Sequence, residues 1–153
     1  MAIRAGTAMV ALAAGMALAM PGRANDPMQE AVSGAMLDGS AWRAVLAGDS
    51  PLLADDGVTI AFADDRVSGR SGCNRFTGGY AAGVLPPDAP GAPLAFGPLA
   101  GTRMACPGRA DEVEALVLPA LARVDGFLLD ASGRLLLLSD TEIVLVARPA
   151  DPA

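Results

Sequence analysis

Histidine and lysine are missing from this 153-residue chain altogether. Aromatic residues are few, with one Trp, one Tyr and four Phe. The first absence removes whole classes of chemistry. Without His or Lys, a Ser–His–Asp triad, a Cys–His pair and a Ser–Lys dyad cannot be assembled. Zinc loses its commonest nitrogen ligand. No segment reads as a phosphate-cradling Gly-rich loop or an EF-hand, so no metal and no cofactor is expected. The second absence hands the core to Leu, Val, Ile and Ala, in a chain whose hydrophobic residues make up 52% of the total.

The amino terminus reads as an export signal. Arg4 is a lone charge, Ala5 to Met20 is small and apolar without an acid, and Pro21-Gly22 breaks the run. Small residues at signal-peptidase spacing place the cut between Ala19 and Ala24, with Ala24 favoured. The run falls short of the ~20 bulky apolar residues a spanning helix needs. No cysteine lies near the cut, so no lipid anchor is expected, and no later stretch reads as a bilayer span. The expected protein is soluble, in the periplasm or secreted. Its parts are a signal peptide over 1–24, a linker over 25–37, one domain over 38–148 and a tail over 149–153. Removing the signal leaves nine arginines against seventeen acids, a net charge of −8. Such a domain repels phosphate backbones and anionic lipid, which disfavours nucleic-acid and membrane partners.

The expected fold is α+β, a single domain of mostly antiparallel curled sheet with one main helix. Ala41–Leu46 reads as a strand carrying Trp42. Val58, Ile60 and Phe62 alternate onto one face. Asp64-Asp65 makes a turn into a returning strand at Arg66–Arg70, and Phe76–Val84 continues the sheet. Leu85–Pro93, with four prolines, is a loop, and Leu94–Leu99 is a short strand. A helix is expected from Asp111 to about Val124, its stripe formed by Val113, Leu116, Val117, Ala120, Leu121 and Val124. Gly126 is the expected stop, and Pro119 should kink the helix or split it in two. Strands at Gly126–Leu129, Arg134–Leu138 and Ile143–Ala147 follow. Elements in this order do not form alternating βαβ units.

Two cysteines, Cys73 and Cys106, are all the chain holds. In an oxidising compartment they are expected to form one disulfide. A redox pair would more usually sit as Cys-x-x-Cys. Asn74 beside Cys73 is expected to tie a bend after Gly72 to neighbouring backbone, because an unpaired buried amide costs ~1–3 kcal/mol. Met104 reads as core. The acidic pairs Asp55-Asp56 and Asp64-Asp65 read as solvated turns, with paired-carboxylate chemistry as the rarer use.

Gly72-Cys73-Asn74 followed by Gly79-Tyr80, then Thr102-x-Met104-Ala105-Cys106, then an acidic helix and a Leu-rich meander, resembles the META domain of the HslJ heat-shock family. Trp42 fits too, and the resemblance spans about residues 38–148. It implies a bacterial envelope protein linked to stress, with no established catalytic activity. It marks Gly72, Asn74, Gly79, Tyr80, Thr102, Met104 and Ala105 as structural or binding positions. The lipid anchor of many relatives is not carried over.

The expected function is therefore non-enzymatic: a monomeric periplasmic module that binds an unidentified protein or envelope component. Two alternatives stand beside it, a small secreted inhibitor of another protein and a carboxylate-dependent hydrolase. Among Arg43, Arg66, Arg70, Arg75 and Arg103, a candidate basic patch is Arg66 and Arg70, which share a strand face with Ser68 by two-residue alternation.

Overall fold

A computed structural model of the chain describes residues 33–151. The expected signal peptide, the linker up to Val32, Pro152 and Ala153 lie outside the described residues. The strands are β1 (Ser40–Ala47), β2 (Ser50–Pro51), β3 (Thr59–Ala63), β4 (Arg66–Arg70), β5 (Arg75–Ala82), β6 (Ala92–Phe96), β7 (Ala100–Gly101), β8 (Gly126–Leu129), β9 (Leu135–Ser139) and β10 (Glu142–Pro149). Helix α1 runs Arg109–Ala122 between β7 and β8. Among the described residues no helix is long and apolar enough to cross a membrane.

The antiparallel sheet expected from the sequence does more than curl. β1 pairs with β3 on one side and with β10 on the other. That second pairing closes β1, β3, β4, β5, β6, β8, β9 and β10 into an eight-stranded barrel. Closure removes the long free edges that an open sheet would present. The closing pair joins Trp42 to Pro149 and Ala47 to Leu145, near the two ends of the described chain. Turn signals between neighbouring strands carry no information about such a pairing. The short strands β2 and β7, also unmarked in the sequence, pair beside β1 and β5.

Alternation fills the barrel. Val58, Ile60 and Phe62 are buried as their spacing dictates, and Val67 meets Phe62 across β4. The Tyr80 ring stands edge-on to Phe62 at 5.0 Å between centroids, with Phe96 at 6.2 Å on Phe62. Two bulges break the alternation. In β1 the register shifts between Ala44 and Leu46, so the buried set changes from Trp42 and Ala44 to Ala47. In β10 the shift lies between Ile143 and Leu145, within the buried run Val144–Ala147. An extra residue on one strand changes which parity faces inward. The Trp42 indole N–H donates to Ser40 Oγ at 2.7 Å.

Asp64 and Asp65 both take left-handed backbone, φ 52° and 58°. That is the geometry of a two-residue hairpin turn whose twist suits its flanking strands. Residues 33–37, within the expected linker, pack onto the barrel: Ser33 bridges to Val84, Gly34 N–H donates to Gly83 O, and Leu37 is fully buried.

Helix α1 differs from expectation in four respects. It begins at Arg109, two residues early, and ends at Ala122. It is one helix through Pro119 and is not split in two. The one hydrogen bond that Pro119 forfeits would end on Ala115, and both residues are exposed, on the side of the helix where solvent lowers the cost of a freed carbonyl. The neighbouring Val117, Ala120 and Leu121 are meanwhile anchored in the core. The stripe buries Val113, Val117, Ala120 and Leu121, with Val124 just beyond, but Leu116 is 42% exposed. Gly126 does not stop the helix. It is the buried first residue of β8, where a Cβ would sit 3.2 Å from Ala92 O. β8 has the expected bounds, β9 and β10 begin and end a residue or two from expectation, and β6 runs Ala92–Phe96, starting inside the expected loop and ending before Leu99.

Phe62 is the aromatic centre of the barrel. Phe62→Ala should lower unfolding free energy by about 3–5 kcal/mol, read as a fall in urea midpoint with the slope unchanged.

Candidate functional site

Between β4 and β5 the chain makes a tight bend, Ser71-Gly72-Cys73-Asn74, closed by the Ser71 N–H on Asn74 O at 2.9 Å. All four residues are buried. Gly72 sits at φ 118°, and a Cβ there would come within 2.8 Å of Ala110 O and 3.1 Å of Glu114 N. Only glycine permits both the backbone and the close approach to α1. Cys73 is bonded to Cys106, with their Cα atoms 5.7 Å apart and a sequence separation of 33. The bond ties the bend to the segment leading into α1.

Asn74 is the hub. Its Oδ1 accepts the Thr102 hydroxyl at 2.9 Å and the Met104 N–H at 2.7 Å. Its Nδ2 donates to Met104 O at 3.2 Å and to Glu114 Oε2 at 2.9 Å. Two donors and two acceptors are all a primary amide has, and each is used. Thr102 Oγ1 in turn accepts the Arg75 N–H at 3.0 Å. Glu114 Oε1 accepts the Ser71 hydroxyl at 2.6 Å and the Asn74 N–H at 3.0 Å. Burial pushes the Glu114 carboxyl up, but the hydrogen bonds from Ser71 and Asn74 outweigh it and hold its pKa below the usual value. This constellation binds three segments together: the β4–β5 bend, residues 102–106 and the first turns of α1.

The expected disulfide and the tying role of Asn74 are both present. Met104 is corrected: the residue is 58% exposed and not core, and its backbone N–H and carbonyl serve Asn74. Ala105 is exposed beside it. Sequence reasoning missed Ser71 and Glu114. Glu114 had a signal, since it shares the i, i+3 and i+7 face with Val117 and Leu121, and a carboxylate bordering an apolar stripe invites a partner. Asp56, one of the acidic pair, accepts the Leu53 N–H and holds Arg109 bidentately at 2.6 Å through each oxygen. Hydrogen bonding to Arg109 is the main reason its pKa is lowered.

A family model for the META domain matches residues 35–151. The chain belongs to the META domain family. Two solved structures are similar to it. A Burkholderia xenovorans protein determined by NMR is 30% identical, with a TM-score of 0.57 over 77% of this chain and 86% of its own. A second NMR structure is 25% identical, with a TM-score of 0.56 over 76% of this chain and 94% of its own. No curated protein matches the sequence.

The signature of this META domain falls into two places. Gly72, Asn74, Thr102, Met104 and the cysteines converge on the clamp. Gly79 and Tyr80 lie at the other end of β5, roughly 15–20 Å away at strand rise. Gly79 faces outward opposite Arg66. Tyr80 leans inward on Phe62, and its hydroxyl pKa is raised first by burial and then by Asp38, Asp65 and Asp64. Arg66, Ser68 and Arg70 share the outer face of β4, all exposed. Arg66 donates to Thr77 Oγ1 at 3.0 Å.

Two measurements test the clamp. Cys73→Ala and Cys106→Ala should each cost about 3–4 kcal/mol, and the double variant no more than either, while the native protein should resist thiol alkylation. Glu114→Gln should cost about 1–3 kcal/mol near neutrality, because its amide must oppose an N–H or O–H donor. With the folded pKa depressed, the charge of Glu114 contributes stability above the ordinary glutamate value. That contribution is lost as pH falls through the folded pKa. The gap between wild type and Glu114→Gln should therefore shrink on acidification, in urea melts run from pH 7 down to pH 3.

Proposed function

We propose that this META domain is an HslJ-like, non-enzymatic envelope protein, exported and monomeric, that acts by binding another component of the periplasm under stress. The observation that carries this reading is how the signature residues are used. The amide of Asn74 has every hydrogen-bonding position filled from within the protein. The Glu114 carboxylate is likewise taken up by Ser71 and Asn74. Groups so engaged hold a scaffold rigid and leave recognition to its outer surface. The joined cysteines suit an oxidising compartment. Of the acidic pairs, Asp56 is engaged by Leu53 and Arg109, and Asp64-Asp65 form the turn of the hairpin between β3 and β4.

The reading predicts that the protein is recovered from the periplasmic fraction, soluble without detergent, shortened to begin near Asn25. Mature protein used as bait in periplasmic extract should capture a partner at defined stoichiometry. Full-length chain in the membrane pellet would overturn the export assignment. A hydrolytic activity abolished by Asp64→Asn or Asp65→Asn, with the fold intact, would overturn the non-enzymatic one.

A further inference from the structure

We infer that the outer cleft over β3, β4, β5 and β7 binds a small solute bearing a carboxylate or phosphate group, held between Arg70 and Arg75. This deepens the binding-module reading by giving one ligand class to a defined surface.

The strand register sets up the site. Arg70 of β4 lies directly opposite Arg75 of β5, and both are exposed on the outer face. Like charges facing each other across a ladder weaken it. A carboxylate between them would relieve the repulsion, yet among the described residues the ion pairs go to Arg43, Arg109, Arg123 and Arg134. In a chain of net charge −6, acids are plentiful, but none lines this cleft.

The shape agrees with the charge. The next outward row reads Ala61, Ser68, Thr77 and Ala100 across four strands. These small side chains form a low floor beside two long arginines. The resulting cleft measures about 640 Å³, within the ~300–1,000 Å³ usual for small-molecule sites. Ala61 and Ala100 offer apolar floor to a short hydrocarbon body. The Ser68 and Thr77 hydroxyls offer neutral hydrogen bonds. Planar guanidinium forks match the paired oxygens of carboxylate and phosphate. Arg66, at the far rim on Thr77, adds a third positive charge.

The test is NMR titration of the mature protein with inorganic phosphate and, separately, succinate, at fixed ionic strength against chloride. Saturable shifts at the amides of Ser68, Arg70, Arg75 and Thr77 are expected with at least one of them, and the one that saturates identifies the oxyanion. Arg70→Ala and Arg75→Ala should each weaken binding about tenfold or more, the loss of one charge-assisted contact. Without ligand, each variant should melt at or above the wild-type temperature, because a like-charge contact is gone. The inference is overturned if neither oxyanion saturates, if the double variant binds like wild type, or if either single variant melts lower. Sedimentation with phosphatidylglycerol vesicles but not phosphatidylcholine vesicles would assign the arginines to a lipid surface and also overturn it. Failure here leaves capture of a macromolecular partner, read by the pull-down, as a separate question.

Discussion

The side-chain amide of Asn74 is the point at which barrel, crosslinked segment and helix meet in hydrogen bonds. The β4–β5 bend meets residues 102–106 and the start of α1 on that amide's four hydrogen-bonding positions and on the carboxylate of Glu114. A buried amide left short of partners would cost ~1–3 kcal/mol per group, so the arrangement is stable only when complete. That requirement explains the residues around it. Gly72 must lack a Cβ for the bend to reach α1. Thr102 must supply a hydroxyl that both donates and accepts. The Cys73–Cys106 bond holds the same three segments in reach of one another when the chain is otherwise unfolded.

A second division of labour separates inside from outside. Inside, the core is mostly aliphatic, with Trp42, Phe76 and Phe127 buried in it and Tyr80 and Phe96 packed on Phe62. Outside, the acids and arginines are unevenly matched. Asp56 with Arg109 ties the turn at residues 54–56 to the start of α1, and Asp130 with Arg134 closes the turn between β8 and β9. Arg70 and Arg75 face each other instead. The buried side-chain polar atoms of the described residues all find partners within the fold, whereas among those residues this surface pair has no acid bound to it.

Much of this was legible in local pattern. The alternation of Val58, Ile60 and Phe62, the turn at Asp64-Asp65 and the stripe of Val113, Val117, Ala120 and Leu121 each follow from a period of two or of 3.6. The pairing of the cysteines followed from their number and the expected compartment. The signature motif carried the family, and Asn74 was readable as a tie because of the cost of burying an amide. Harder to read were features set by partners remote in sequence. Glu114 looked like an ordinary acid near a helix N-terminus, and Met104 like a core residue, because nothing local told which of its atoms would be used. Pro119 looked disruptive because the cost of a lost hydrogen bond depends on whether water reaches the freed carbonyl.

Composition and spacing by themselves determined the antiparallel α+β class, the single crosslink, the hairpins and the chemistry that a chain without histidine or lysine cannot perform. These depend on interactions within a few residues, or on residue types being present at all. Closure of the barrel by β1 against β10, the bulges that change inward parity, the four-bonded Asn74 and the meeting of Arg70 with Arg75 were decided only in three dimensions. Each requires groups separated by a turn or by most of the chain to share a few ångströms. That proximity is a property of the whole packed structure and of no segment alone.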